Sequence, residues 1–220
     1  MGKRRSVLIG DAILMFSGGL DSAYLLWYYL EQTKYNIHAH HVVLHDRQNR
    51  GDEELAAVEN IYKYFSSYRE EGRLTSTQSL IECMDIEYNV WESDLYFPIA
   101  VRVSASLPAP HKVFFGWSGN TAARLSIIER FDSGMYATLW AAHRQAIVEK
   151  YRPRVPTMAE FPLIERKFTK KQIIQDIPKE LLDMSWSCRS PENSKPYNVC
   201  ATCNEIRHIK RKLGWKERII

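Results

Sequence analysis

Ala12-Ile13-Leu14-Met15-Phe16-Ser17-Gly18-Gly19-Leu20-Asp21-Ser22-Ala23-Tyr24-Leu25-Leu26-Trp27-Tyr28-Tyr29-Leu30 is the segment on which the architecture turns. An apolar run ends in a Ser/Gly bend and passes straight into a second apolar stretch, which reads as buried strand, tight turn, helix. Gly18 and Gly19 permit backbone angles that a side chain would forbid and let an anion approach the amides. The free N–H groups and positive dipole end of the following helix then face that anion. Asp21 adds a carboxylate suited to Mg²⁺ on a polyphosphate, because Mg²⁺ takes oxygen ligands shared with substrate phosphates. Ser17 and Ser22 add hydroxyl donors. The plain alternative is an ordinary turn with Asp21 as a helix cap. The strand-to-helix context favours the nucleotide reading, which takes Phe16, Ser17, Gly18, Gly19, Leu20, Asp21 and Ser22 as the binding segment. A Walker loop is excluded, since its longer spacing and Gly-Lys-Ser/Thr ending are absent.

The 220-residue chain is long enough for one substantial core and a small appendage. Its 45% hydrophobic and 25% charged content describes an ordinary globular protein. No apolar run reaches membrane-spanning length, and the basic N-terminus lacks a signal-peptide core, so a cytoplasmic location is expected. Met1-Gly2 with Ser6 matches a myristoylation start only superficially. The net charge of +4 is modest, with Arg207, Lys210, Arg211, Lys212, Lys216 and Arg218 collected near the C-terminus. A solvated helix face is the favoured reading of that cluster over a nucleic-acid patch.

Further along, Ile37 to His45 reads as a second strand, and Asp46 to Gly51 as a polar loop. Asp52 is placed as the cap of a helix from Glu53 to Arg69, with Leu55, Val58, Ile61, Tyr62 and Phe65 on one face. Tyr88 to Trp91 is read as a weak strand and Lys112 to Trp117 as a strong one, followed by a Gly/Ser/Asn loop from Gly116 to Thr121. Tyr96 to Lys112, with three prolines, is expected to be irregular. A helix is expected from near Ser133 to Tyr151, a last short strand at Phe161 to Ile164, and a helix starting at Lys170 with Thr169 as its cap. Alternating strands and helices predict an α/β fold with a doubly wound parallel sheet. In such folds ligands sit beyond the carboxyl ends of strands, so the loops at 17–22, 45–51 and 116–121 are expected to meet around one nucleotide, with Gly116 in contact with it. The expected division is an ATP-binding domain at 1–184, with a cysteine knuckle and basic helix at 185–220 in the same globule.

His38 and His40 share one face of their strand and His41 the other, so they cannot form one ligand set. His45, at the strand's carboxyl end, is a candidate contact to base or substrate. Cys188, Cys200 and Cys203 crowd near the C-terminus, and a CxxC pair with a third cysteine across a loop suits tetrahedral Zn²⁺ held at about 2.3 Å. A closed zinc site needs four ligands; His208 and Cys83 are the candidates for the fourth. A metal-free thiol cluster or a CxxC redox pair are the alternatives.

The loop and the cysteine tail together resemble the 7-cyano-7-deazaguanine synthase family, a branch of the PP-loop ATP pyrophosphatases. Members of that family open with a strand and SGGxDS, matched here by Ser17, Gly18, Gly19, Asp21 and Ser22. Their second-strand loop is partly similar to His45 to Arg50. Their Pro-Leu segment and helix-start lysine look like Pro162-Leu163 and Lys170. Their Thr-Trp-Ser-Cys and later cysteines are similar to Ser185-Trp186-Ser187-Cys188, Cys200 and Cys203. The chain departs at Tyr197, where the family has its second zinc cysteine. It departs again in the substrate loop, of which only Asp132-Ser133-Gly134 is kept.

The resemblance implies an adenine-nucleotide α-hydrolase-like fold with ATP, Mg²⁺ and Zn²⁺ as cofactors. It implies a ligase that turns 7-carboxy-7-deazaguanine and ammonia into the nitrile, as in queuosine biosynthesis. A substrate oxygen attacks the α-phosphate of ATP, pyrophosphate leaves, and ammonia displaces AMP; the family works first on a carboxylate and then on an amide. Asp21 and Lys170 are the candidate catalytic residues, Asp21 holding Mg²⁺ and Lys170 meeting phosphate charge. The alternatives are another PP-loop adenylating enzyme acting on tRNA, another nucleic acid or a protein, and a non-catalytic zinc-knuckle nucleic-acid binder. The small-molecule substrate is the expected partner. Nucleic acid is not favoured, a homodimer is left open, and no membrane is expected.

Overall fold

The computed structural model describes residues 11–46, 50–83, 92–107, 112–118, 135–151, 159–189, 191–192, 195–196 and 200–215. Four parallel strands form the main sheet: β1 (Ala12–Met15), β2 (Ile37–His45), β3 (Leu74–Glu82) and β4 (Lys112–Phe115). Their order is β3-β2-β1-β4. Register pairs Leu14 with Ala39 on one side and with Phe114 on the other. The chain therefore winds outward from β1 through β2 to β3, then crosses back to place β4 on the opposite flank of β1. The reversal of strand order falls between β1 and β4, and in α/β sheets ligands are taken at the carboxyl ends of the strands at such a point.

β1 is buried on both faces, as a central parallel strand requires. Its even-numbered side chains, with Ile37 and Ala39, join a core under α1 (Leu20–Glu31), α2 (Gly51–Tyr64), α7 (Lys170–Asp176) and α8 (Lys179–Met184). Ile13, Met15, Val113 and Phe115 join the opposite core with α4 (Glu92–Ser106) and α5 (Met135–Tyr151). The sheet is thus covered on both faces, as the alternating pattern predicts. A short antiparallel pair, β5 (Pro191–Glu192) and β6 (Lys195–Pro196), precedes α9 (Ala201–Lys212). Ile206 and Ile209 of α9, and Leu213 after it, pack against the core that α1 covers.

Several expectations need correction. Phe161 to Ile164 is not a strand: Glu160 alone bridges to Phe114, and Pro162 opens a one-turn helix, α6 (Pro162–Glu165). Proline's fixed φ and missing N–H suit a first helical turn and break a strand ladder. Tyr96 to Ser106, expected to be irregular, belongs to α4 despite Pro98. Burial of Tyr96, Phe97, Ala100 and Val101 against β1 and β4 outweighs the lost hydrogen bond. The helix after β2 ends at Tyr64, and Phe65 separates it from α3 (Ser66–Glu70). Its cap position belongs to Arg50, while Asp52 sits in the first turn, 3.5 Å from His45 Nε2. β3 is a strand that hydrophobic patterning misses. The expected strand at 88–91, residues 47–49 and 119–121 of the expected loops, Asp132-Ser133-Gly134 and Tyr197 lie outside the described residues.

Candidate functional site

Gly18 has φ +74°, the left-handed region in which a side chain is strained. A Cβ there would also stand 3.1 Å from the Glu54 carbonyl of α2, so the bend needs glycine on two counts. Gly19 follows as the N-cap of α1 and has no side chain with which to cap it. Asp21 is thus in the first helical turn rather than at the cap. Inside the bend, Ser22 Oγ donates to the Gly19 carbonyl at 3.0 Å and the Gly19 amide donates to Ser17 Oγ at 3.3 Å. The two serine oxygens are 3.3 Å apart. With the Ser22 hydrogen committed to Gly19, Ser17 is the donor of that pair.

The neighbouring loop closes on this bend from β4. A Cβ on Gly116 would stand 2.8 Å from Ser22 Cα, so only glycine allows the two backbones this approach. Two residues later the Ser118 amide donates to Asp21 Oδ2 at 3.3 Å, and the Ser118 hydroxyl is buried without a partner among the described residues. The predicted meeting of the 17–22 and 116–121 loops is therefore present through residue 118, with the start of α2 packed behind Gly18.

Lys170 arrives from the opposite direction. Thr169 caps α7 with a full capping box: its side chain accepts from the Gln172 amide while the Gln172 side chain accepts from the Thr169 amide. This fixes the first turn of α7, and Lys170 Nζ reaches Asp21 Oδ1 at 2.5 Å. The Lys170 side chain is 10% exposed and that of Asp21 16%. An exposed helix lysine is ruled out; the residue is held at the mouth of the bend. Asp21 thus receives two donors and keeps one acceptor lone pair on each oxygen, enough for a monodentate contact to a hard cation such as Mg²⁺.

The histidines separate as strand alternation requires. His38 and His40 bond to hydroxyls of β3, whereas His41 Nδ1 lies 2.9 Å from the Phe16 carbonyl, immediately before the bend. The carbonyl can only accept, so His41 Nδ1 carries the proton and Nε2 is the unprotonated, buried nitrogen of the neutral ring, without a partner among the described residues. Burial, partly offset by the Phe16 hydrogen bond, holds His41 below the usual histidine range.

The tail lies directly on the bend. The Trp186 amide donates to the Gly18 carbonyl at 2.9 Å, and the Leu20 amide donates to Ser187 Oγ at 3.2 Å. Next in sequence, Cys188 gathers with Cys200 and Cys203, their sulfurs all within 4.8 Å of one another. Three thiolates on a tetrahedral ion bound at about 2.3 Å would stand comparably close, so the group fits three of four positions. Neither His208 nor Cys83, both candidates for the fourth, joins the group. His208 is exposed on α9, and Cys83 is buried where β3 ends. Cys200 is the N-cap of α9 and its sulfur accepts from the Cys203 amide at 3.4 Å. Burial pushes its thiol up, but hydrogen bonds from the Arg189 and Cys203 backbone and from the Cys203 and Cys188 thiols outweigh that and hold it low. Burial and the hydrogen bonds it gives to Cys200 and Cys188 push Cys203 up to about 12. The residues that sequence reasoning missed are Ser118, His41 and Ser187. Only Ser187 carried a signal, its place one residue before a cysteine.

No family model matches the sequence, and no curated protein matches it. Among solved structures, the chain is similar to U34-tRNA thiolase NcsA from Methanococcus maripaludis, solved with its [4Fe-4S] cluster. Identity is 16%, the alignment covers 95% of this chain and 67% of that one, and the TM-score is 0.44.

Proposed function

We propose that the protein is an adenylating enzyme of the PP-loop type, which cleaves ATP between the α- and β-phosphates. The observation that carries this reading is the junction at α1: a left-handed Gly18, a helix N-terminus whose N-cap Gly19 offers no side chain, and the Asp21–Lys170 pair at its mouth. In this reading the departing pyrophosphate lies on the bend that Ser17 and Ser22 brace, its oxygens facing amides of the first turn. Lys170 neutralises charge as the α–β bond breaks, and Asp21 steers that ammonium when no phosphate is present. Mg²⁺ held between Asp21 and the phosphates would supply further charge neutralisation. Catalysis of this kind is positioning and electrostatics, with no protein nucleophile.

For the acceptor, the resemblance favours 7-carboxy-7-deazaguanine. Its carboxylate oxygen attacks the α-phosphorus, pyrophosphate leaves, and ammonia displaces AMP to give an amide. A second ATP adenylates the amide oxygen, and loss of AMP gives the nitrile. A polynucleotide acceptor is the second reading, favoured by one observation: α9 docks through Ile206 and Ile209 and carries Lys210, Arg211 and Lys212 in its last turn. The cysteine group would hold Zn²⁺ or another thiophilic metal beside the site.

The purified protein with ATP, Mg²⁺, ammonia and 7-carboxy-7-deazaguanine is expected to release AMP and pyrophosphate and to form a nitrile identified by mass. AMP formation only on addition of tRNA would select the polynucleotide reading. Absence of pyrophosphate release with either acceptor would remove the proposal.

A further inference from the structure

We infer that Ser187 is a binding residue of the pyrophosphate cradle, carried to the α1 terminus by the cysteine segment; this rests on the PP-loop reading above. The hydroxyls native to the bend are spent on one another: Ser22 donates to the Gly19 carbonyl, and Ser17 donates to Ser22. Ser187 is different. Its oxygen accepts from the Leu20 amide at 3.2 Å, and its own hydrogen has no acceptor among the described residues. The Leu20 amide, a first-turn donor, is thereby converted into a hydroxyl donor that stands farther out from the helix and is polarised by the amide behind it. Ser118, whose buried hydroxyl is likewise unpartnered, stands at the Asp21 side of the same mouth.

Ser187 cannot drift from this position. The Trp186 amide is bonded to the Gly18 carbonyl at 2.9 Å, and the Trp186 indole donates to the Cys188 carbonyl at 3.0 Å. A Cβ on Gly19 would lie 3.3 Å from the Trp186 carbonyl and 4.0 Å from Ser187 Oγ, so the segment rests directly on the bend. Cys188, 3% exposed, then anchors the segment in the thiol group. The state of the cysteine group and the affinity for pyrophosphate are consequently linked through one side chain, and such linkage is reciprocal.

The alternative role has the opposite sign. A serine that merely blocked the Leu20 amide would compete with the anion, and its removal would tighten binding. Titration calorimetry of the full chain with inorganic pyrophosphate and Mg²⁺ separates the two. Ser187→Ala is expected to weaken binding by about tenfold, the worth of one hydrogen bond to a charged group, while Ser187→Thr keeps the hydroxyl and stays within about threefold of wild type. Equal or tighter binding by Ser187→Ala overturns the inference. A wild type that binds no pyrophosphate overturns the PP-loop reading itself, and the inference with it. A readout independent of any variant is alkylation of Cys188, Cys200 and Cys203 by iodoacetamide, followed by mass spectrometry. Saturating pyrophosphate is expected to slow it, and an unchanged rate counts against the linkage.

Discussion

Asp21 and Lys170 lie 149 positions apart in the chain and meet at 2.5 Å. Each is largely withdrawn from water, so removing one strands the other. Lys170→Ala is expected to cost about 3 kcal/mol, since breaking a buried pair leaves an uncompensated charge, and denaturant titration would measure it. Asp21→Asn keeps size and hydrogen-bonding capacity but removes the charge that positions Lys170. Pyrophosphate release by this variant is expected to fall by about a hundredfold or more, and the unfolding midpoint to fall as well, because the largely buried Lys170 ammonium loses its counter-charge. A variant that cleaves ATP at the wild-type rate would end the proposed role. Gly116→Ala pushes a methyl to within 2.8 Å of Ser22 Cα, and overpacking of that kind costs about 1–3 kcal/mol.

Among the secondary elements, the β2–β3 pair has a chemistry of its own. Thr77 Oγ1 lies 2.9 Å from His38 Nε2 and 2.8 Å from His40 Nδ1, and Ser79 completes the line at 3.1 Å from His40 Nε2. Hydroxyls alternate with imidazoles along this line, and the neutral His40 ring donates at one nitrogen and accepts at the other. Burial first, then the neighbouring His38 and His41, pull His40 down from 6.5 to about 4. A histidine depressed in the folded state supports the fold fully above its unfolded value and loses that support as pH falls. Stability is therefore expected to drop between pH 6.5 and 4 by about 3 kcal/mol, and the slope should flatten in His40→Asn. Urea unfolding at pH 7 and pH 4.5 checks both. The same ladder explains why β3 was not legible: its inward hydroxyls serve buried histidines, so it lacks an apolar face, and Leu80 is 60% exposed. The cap of α7, by contrast, was readable from Thr169 onward.

For the molecule as a whole, the consequence lies in how the tail is held. α9 presses apolar side chains onto the core beneath α1, and the cysteine group ties the segment before it to the bend. If a thiophilic metal occupies that group, elemental analysis will find it in the native protein, and Cys200→Ser will lower its content severalfold. Chelation of that metal is expected to lower the thermal midpoint and to speed tryptic cleavage in the basic last turn of α9, read by mass spectrometry. Metal-free protein with all thiols titratable would instead mark the group as a thiol cluster.

The strand–bend–helix unit, the α/β class, the cap at Thr169 and the clustering of Cys200 with Cys203 were all legible because each depends on residues close along the chain. Backbone conformation, capping and periodicity are local physics, and local physics is written in neighbouring residues. The partner of Asp21, the hydroxyl of Ser187 on the Leu20 amide, the exclusion of His208 and Cys83 from the thiol group, and the helix through Pro98 were settled only when distant segments packed. Those outcomes turn on burial and on distances of a few ångströms between elements far apart in sequence, which no local pattern encodes.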